Sequence, residues 1–317
     1  MELSKFNIVT GCGDEDRAVI RYKDICYIGC FTGTREEAIR AIGNKYKDDG
    51  KDAYITKINE LYNTDITSHK ERGIDITAGG NFVLQWVSEN GYLKVVKYLV
   101  SQGADVTANN DLVVRLASNN GYLDIVKYLV SRGANITACN NLAVQWASSN
   151  GHLKVVKYLV KQGADTAANN NYAVQWASFK GCLKLVKCLV KHGADVTAGS
   201  NYAIQSTSNN GYLKLVKYLV EHGADVTANN NYAVIRASKY GHLKIVKYLV
   251  SHGADVTACG NLAIVRASEN GYLKVVKYLA SQGADVTASH NYAVRQANSN
   301  GHLKVVKYLV SQGALLD

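Results

Sequence analysis

Residues 141–170 read NLAVQWASSNGHLKVVKYLVKQGADTAANN. The pattern returns every 30 residues without a slip, with new copies at Asn81, Asp111, Asn141, Asn171, Asn201, Asn231, Asn261 and Asn291. Strict periodicity at this length marks one supersecondary unit stacked on itself, each copy too small to bury its own apolar face. Length therefore stops predicting domain count, and the 47% hydrophobic content of the 317 residues belongs to an array.

Positions are counted from the first residue of each copy. That residue is Asn seven times and Asp once, a side-chain oxygen of the kind that caps the orphan amides of a helix, so the first helix is expected to start there. It runs through stretches such as Tyr172 to Ser178, with Ala117, Ala147, Ala177 and Ala237 small enough for neighbouring helices to approach closely. Gly121, Gly151 and Gly181 stop it, since glycine takes the left-handed conformation of a helix C-terminus without Cβ strain. In the second helix Leu153, Val156, Leu159 and Val160 share one side while Lys154, Lys157 and Lys161 share the other, as a 3.6-residue period requires. Gly163 ends it. Both helices are shorter than the roughly 12–15 residues that persist alone in water, so stacking must stabilise them.

The recurring GHLKVVKYLVSQG (301–313), completed in earlier copies by GADVTA (103–108 and 223–228), resembles the ankyrin repeat over residues 81–317. The resemblance implies an all-α, ankyrin-type helical repeat solenoid. Family units usually have 33 residues and open the first helix with TPLHxA, whereas YAVQWA (172–177) or LAIVRA (262–267) stands here. The missing residues fall in the finger between repeats, so the inter-repeat fingers are expected to be shortened and to lack the family's β-hairpin. The Asn-rich linkers and KYLV are similar to ankyrin proteins of giant amoeba-infecting viruses.

Residues 72–78, RGIDITA, match the end of a unit in phase, so 51–80 reads as a degenerate repeat. Residues 1–50 form an N-terminal segment that reads either as a further degenerate repeat, with GTREEAIRAI (33–42) as its worn second helix, or as a polar cap that keeps the array soluble. A separate recruitment module is the alternative, with no motif in its support. At the other end Asn298 replaces the usual Ser as the one polar adjustment.

The copies are so alike that the positions which vary stand out. At positions five and six the chain reads Gln85 and Trp86, Arg115 and Leu116, Gln145 and Trp146, Gln175 and Trp176, Gln205 and Ser206, Ile235 and Arg236, Val265 and Arg266, Arg295 and Gln296. By resemblance this side borders the concave groove where ankyrin proteins bind partners. Trp and Arg are enriched at interaction hot spots. Trp86, Arg115, Trp146, Trp176, Arg236, Arg266 and Arg295 are therefore candidate contacts, joined by Phe179, Lys180, Lys239 and Tyr240 just before the inter-helix glycine. Two accounts of the tryptophans stay open, contact with a partner and filling of space left by the short finger.

Lys97, Lys127, Lys157, Lys187, Lys217, Lys247, Lys277 and Lys307 hold one position in all eight copies. Such a ladder suits phosphates and, with a formal net charge of +10, gives an alternative reading as a nucleic-acid or acidic-partner binder. Lysines opposite an apolar face are more often a solvated surface. His152, His242 and His302 stand where other copies have Tyr. His192, His222 and His252 end second helices, where a cation suits the dipole.

Cys12, Cys26, Cys30, Cys139, Cys182, Cys188 and Cys259 are odd in number and irregularly spaced, which fits reduced thiols in a cytoplasmic setting. Cys26 and Cys30 make a poor zinc set. No apolar run approaches the roughly 18 residues of a membrane span. The GADVTA aspartates Asp105, Asp165 and Asp225 recur as turn residues do, and no phosphate loop, nucleophile elbow or paired acids are present. The sequence thus predicts a monomeric, non-catalytic scaffold without cofactor, neither secreted nor membrane-bound, that binds a protein partner, of a host cell if the viral resemblance holds.

Overall fold

The computed structural model describes residues 6–10, 18–22 and 78–316. The worn helix at 33–42, Cys12, Cys26, Cys30 and all but the last three residues of the degenerate repeat lie outside them. In the N-terminal segment β1 (Phe6–Thr10) pairs antiparallel with β2 (Ala18–Tyr22), Ile8 opposite Ile20. The lost repeat phase of this segment gave no sign of that ribbon.

Every copy of the array is a helix pair. The first helices are α1 (Ala78–Glu89), α3 (Ala108–Asn119), α5 (Ala138–Ser149), α7 (Ala168–Phe179), α9 (Ala198–Asn210), α11 (Ala228–Lys239), α13 (Ala258–Glu269) and α15 (Ala288–Ser299). The second helices are α2 (Leu93–Ser101), α4 (Leu123–Ser131), α6 (Leu153–Lys161), α8 (Leu183–Lys191), α10 (Leu213–Glu221), α12 (Leu243–Ser251), α14 (Leu273–Ser281) and α16 (Leu303–Ser311). The described array is thus an all-α solenoid. It falls into two compact units, Met1–Ala138 and Cys139–Asp317. Within each, first helices of neighbouring copies pack much more closely than second helices do, which places the first helices on the inner side of the stack. Ala117, Ala147, Ala177 and Ala237 are fully buried, as that close approach demands.

Two expectations need adjusting. The right-handed first helix starts just after the Asn that was expected to open it, but that Asn is the last residue of a left-handed turn that precedes the helix. Asn169, Asn170 and Asn171 have φ of 53°, 53° and 60°, and every copy from Asn109 on repeats the trio. Asparagine tolerates this region better than other side chains with a Cβ, so the Asn-rich linkers are turn signals. The first-position oxygen does accept an amide, though not one of its own helix. Asn141 Oδ1 takes the N–H of Asp165 at 2.9 Å, Asn231 Oδ1 that of Asp255 at 2.7 Å, and Asp111 Oδ1 that of Asn135 at 2.7 Å. The residue ties the loop after the second helix back to the start of the first.

In the second helix the buried set is Val155, Val156 and Leu159, while Leu153 and Val160 are half-exposed. Successive side chains rotate by about 100°. Leu153 and Val160 therefore lie together on one flank of the stripe that Val155, Leu159 and Val156 form.

The fingers carry no strand among the described residues. Most are aspartate-closed turns, as where Asp225 Oδ1 accepts the backbone N–H of Thr227 at 2.8 Å and its hydroxyl at 2.7 Å, with Asn135 Oδ1 taking the same part toward Thr137, an arrangement that needs no hairpin. Gly163 and Gly181 both have positive φ, 95° and 73°, and end their helices as expected.

Candidate functional site

Positions five and six, adjacent in sequence, part company in space. Position five turns inward and serves the left-handed turn. Gln145 Nε2 donates to Asn140 O at 2.5 Å, Gln175 to Asn170 O at 2.6 Å and Gln205 to Ser200 O at 2.6 Å. Arg115, grouped with the contact candidates in the sequence, does the same: only 8% exposed, it donates from Nε to Asn110 O at 3.1 Å and from Nη2 to Asn109 O at 2.8 Å. The guanidinium satisfies carbonyls that the turn strips of helical partners, so Arg115 is a brace. In two later copies Ile235 and Val265 fill this position and are buried. In the 291–317 copy Arg295 holds this position and is exposed, 5.8 Å from the Tyr292 ring.

Position six turns outward on the inner face of the stack. Trp86, Trp146, Trp176, Arg236 and Arg266 are each half-buried. Trp86, in the first compact unit, stacks on Tyr92 with ring centroids 5.6 Å apart. In the second unit Trp176 is the centre of a three-ring row on α7, 5.7 Å from Tyr172 and 5.5 Å edge-on from Phe179. Phe179 is exposed, as is Lys180 beside it. On α11 the Arg236 guanidinium lies 4.7 Å over the Tyr232 ring, with half-buried Lys239 one turn on and exposed Tyr240 after it, the ammonium 5.6 Å from that ring. Arg266 on α13 is paired to Glu269 at 2.8 Å. Position six thus passes from aromatic at Trp146 and Trp176, through Ser206, buried and donating to Ala203 O at 3.1 Å, to cationic at Arg236.

Position-two rings, Tyr172 and Tyr232, were missed in the sequence although they stand four residues before Trp176 and Arg236. The same helical spacing, at three residues, pairs Arg266 with Glu269.

The lysine ladder has a structural occupation. Lys187 Nζ lies 5.2 Å from the Tyr218 ring centroid, Lys217 5.4 Å from Tyr248, Lys247 5.3 Å from Tyr278 and Lys277 5.4 Å from Tyr308. Each lysine covers a ring of the following repeat, a cation–π contact worth about 0.5–1 kcal/mol at exposed sites. A shallow hollow of about 350 Å³ lies between α10 and α12 on this face, lined by Lys217, Lys244, Lys247 and Tyr248 among others.

The histidines also join repeats or close helices. His242 Nε2 donates to Asn209 O and His302 Nε2 to Glu269 O, both at 3.0 Å. The His222 and His252 rings reach the last-turn carbonyls of Tyr218 and Tyr248, each at 2.8 Å. Thr107, Thr257 and Thr287 bond the carboxylates of Asp105, Asp255 and Asp285 through hydroxyl and backbone N–H, which holds those carboxyls below their ordinary range. Among the described residues no cluster of three His, Cys, Asp or Glu could hold a metal, and no described helix is long and apolar enough to cross a membrane.

Family models match most of the array. The model described as ankyrin repeats (3 copies) matches residues 114–200 and 201–290, and the single ankyrin repeat matches 79–111. No curated protein matches the sequence.

Proposed function

The chain belongs to the ankyrin-repeat family, and from that premise we propose that it is a non-catalytic scaffold which captures a protein of a host cell through the outward row of its first helices. Ankyrin repeats generally mediate protein–protein interaction, and proteins built from them are typically non-catalytic scaffolds. One observation carries the proposal. At position six the side chains vary between copies, and Trp146, Trp176, Arg236 and Arg266 stand outward and half-exposed, whereas the buried Val156 and Leu159 and their equivalents in the second helices hardly change. A surface whose composition changes while its support does not is suited to recognition, and Trp and Arg are the side chains that concentrate binding energy.

The Asn-rich units support a viral protein working in host cytoplasm as a monomer, since they resemble those of giant amoeba-infecting viruses. The test is capture from amoebal lysate by the full chain and by a Trp146→Ala/Trp176→Ala variant whose helicity is checked by circular dichroism. Loss of a specific protein band in the variant supports the proposal, and an unchanged band sinks it. The lysine face is the competing surface. A mobility shift with duplex or single-stranded DNA that disappears steeply with salt would favour it instead.

A further inference from the structure

The row in the second compact unit is specific enough to say what its occupant looks like. The inference rests on the scaffold reading and sharpens it. On α7 the Tyr172, Trp176 and Phe179 rings touch in sequence and leave Phe179 36% exposed. This is an apolar platform that an incoming bulky side chain can cover. On α11 the Arg236 guanidinium and the Lys239 ammonium stand a turn apart, with ring contacts only and no carboxylate paired to either among the described residues. On α13 the next position-six cation is already neutralised, Arg266 against Glu269 at 2.8 Å. Arg236 with Lys239 on α11 is therefore the one place where two unneutralised cations of these helices stand together, Lys180 beside the platform and Arg295 on α15 being single charges, and it is the site best matched to an acidic group on the occupant.

Between platform and cations lies α9, which packs against both α7 and α11. There position six is Ser206, 7% exposed and folded back on its own helix, so the row dips where the flanking copies carry Trp and Arg. A chain laid across the three helices meets no large position-six side chain midway. Neighbouring helix axes are roughly 8–10 Å apart, so α7 and α11 are about 16–20 Å apart, which an extended chain rising about 3.3 Å per residue spans in five or six residues.

We propose that this row takes an extended segment of a partner protein bearing a bulky apolar side chain over Trp176 and Phe179 and, five or six residues along, an acidic side chain against Arg236 and Lys239. The charge complementarity fixes the register of the segment and the platform supplies its anchor. A helical occupant would rise only about 1.5 Å per residue and need a spacing near twelve.

The test uses the full chain and a phage-displayed library of random dodecapeptides, followed by anisotropy titrations of labelled synthetic peptides. Enriched peptides are expected to pair an aromatic or large aliphatic residue with Asp or Glu five or six positions away. Trp176→Ala is expected to weaken them about thirtyfold, the loss of one hot spot, and Arg236→Glu/Lys239→Glu about tenfold at low salt. The charge-reversed variant should regain affinity for peptides in which the acid is replaced by Lys, a rescue that misfolding cannot mimic. Failure to enrich peptides, enrichment without the paired spacing, or binding indifferent to the charge reversal would each overturn the proposal. If binding is still lost in Trp176→Ala, the scaffold reading survives that failure. If binders are unaffected by both variants, it does not.

Discussion

Asn231 Oδ1 accepts the backbone N–H of Asp255 at 2.7 Å, 24 residues downstream, from a residue that is itself left-handed with φ of 63°. One side chain thus does two jobs, tolerating the turn and tying down the finger. Asn231→Ala removes the acceptor from a 9% exposed site and forces Ala into a strained region, so a loss of about 2–4 kcal/mol is expected in urea unfolding. Asn231→Gly removes only the hydrogen bond and should cost about half as much. Asn231→Asp keeps the acceptor, as Asp111 does in its copy, and should cost least.

Cys188 interrupts the lysine–tyrosine ladder. Seven copies have Tyr at this position, while here the thiol is 8% exposed with its pKa raised by burial against the lowering effect of Lys157 and Lys191. Cys188→Tyr supplies the missing ring under Lys157 and is expected to stabilise the chain by about 0.5–1 kcal/mol. A lowered melting temperature would show that this interface has packed around the smaller side chain.

Among the described residues seven serines, Ser88 through Ser268 at 30-residue intervals, bury a hydroxyl without a hydrogen-bond partner. Such a group loses water and gains nothing in return. Ser178→Ala is expected to raise stability by about 0.5–1 kcal/mol in chemical unfolding, with no effect on partner capture because the side chain is fully buried.

Gly163 and Gly181 share a left-handed backbone and differ in surroundings. A Cβ at Gly163 meets nothing within 4 Å, whereas one at Gly181 would fall 2.6 Å from the Tyr212 ring of the next repeat. Gly163→Val should cost upwards of about 1 kcal/mol from backbone strain alone. Gly181→Ala should cost about 1–3 kcal/mol more than Gly163→Ala through overpacking. Equal melting curves for the two alanine variants would contradict the inter-repeat contact.

Asp255 and Asp285 bear on acid stability. Threonine hydrogen bonds lower their pKa in the folded chain, so the unfolded chain binds protons first, at about pH 3.9. Their stabilising contribution is therefore present above that pH and lost as pH falls through the depressed folded values. Thr257→Val removes the hydroxyl bond to Asp255, and a shallower decline of stability below about pH 4 is expected in acid titration monitored by circular dichroism.

The helix pairs were legible in the sequence because Leu159, Val156 and the glycines at 163 and 181 follow local rules. The left-handed trio was not, since Asn171 reads equally as an N-cap, and only its partner 24 residues away decides between the two roles. Arg115 and Arg236 illustrate the same limit at the candidate site. They are neighbouring positions of one variable pair, one consumed by the carbonyls of Asn109 and Asn110 and the other left outward over Tyr232. Residue type could not separate them, but the Gln that occupies position five in four other copies hinted that a donor was needed there.

From the 171–200 copy onward the seams between repeats keep one vocabulary, a lysine on the next copy's tyrosine and a glycine under the next copy's ring. Any interior copy moved one place along would meet familiar neighbours on both sides. Gene duplication or unequal crossing-over inside this stretch can then reorder the position-six Trp, Ser and Arg like beads restrung on the same thread, changing what is recognised without reinventing how the protein folds.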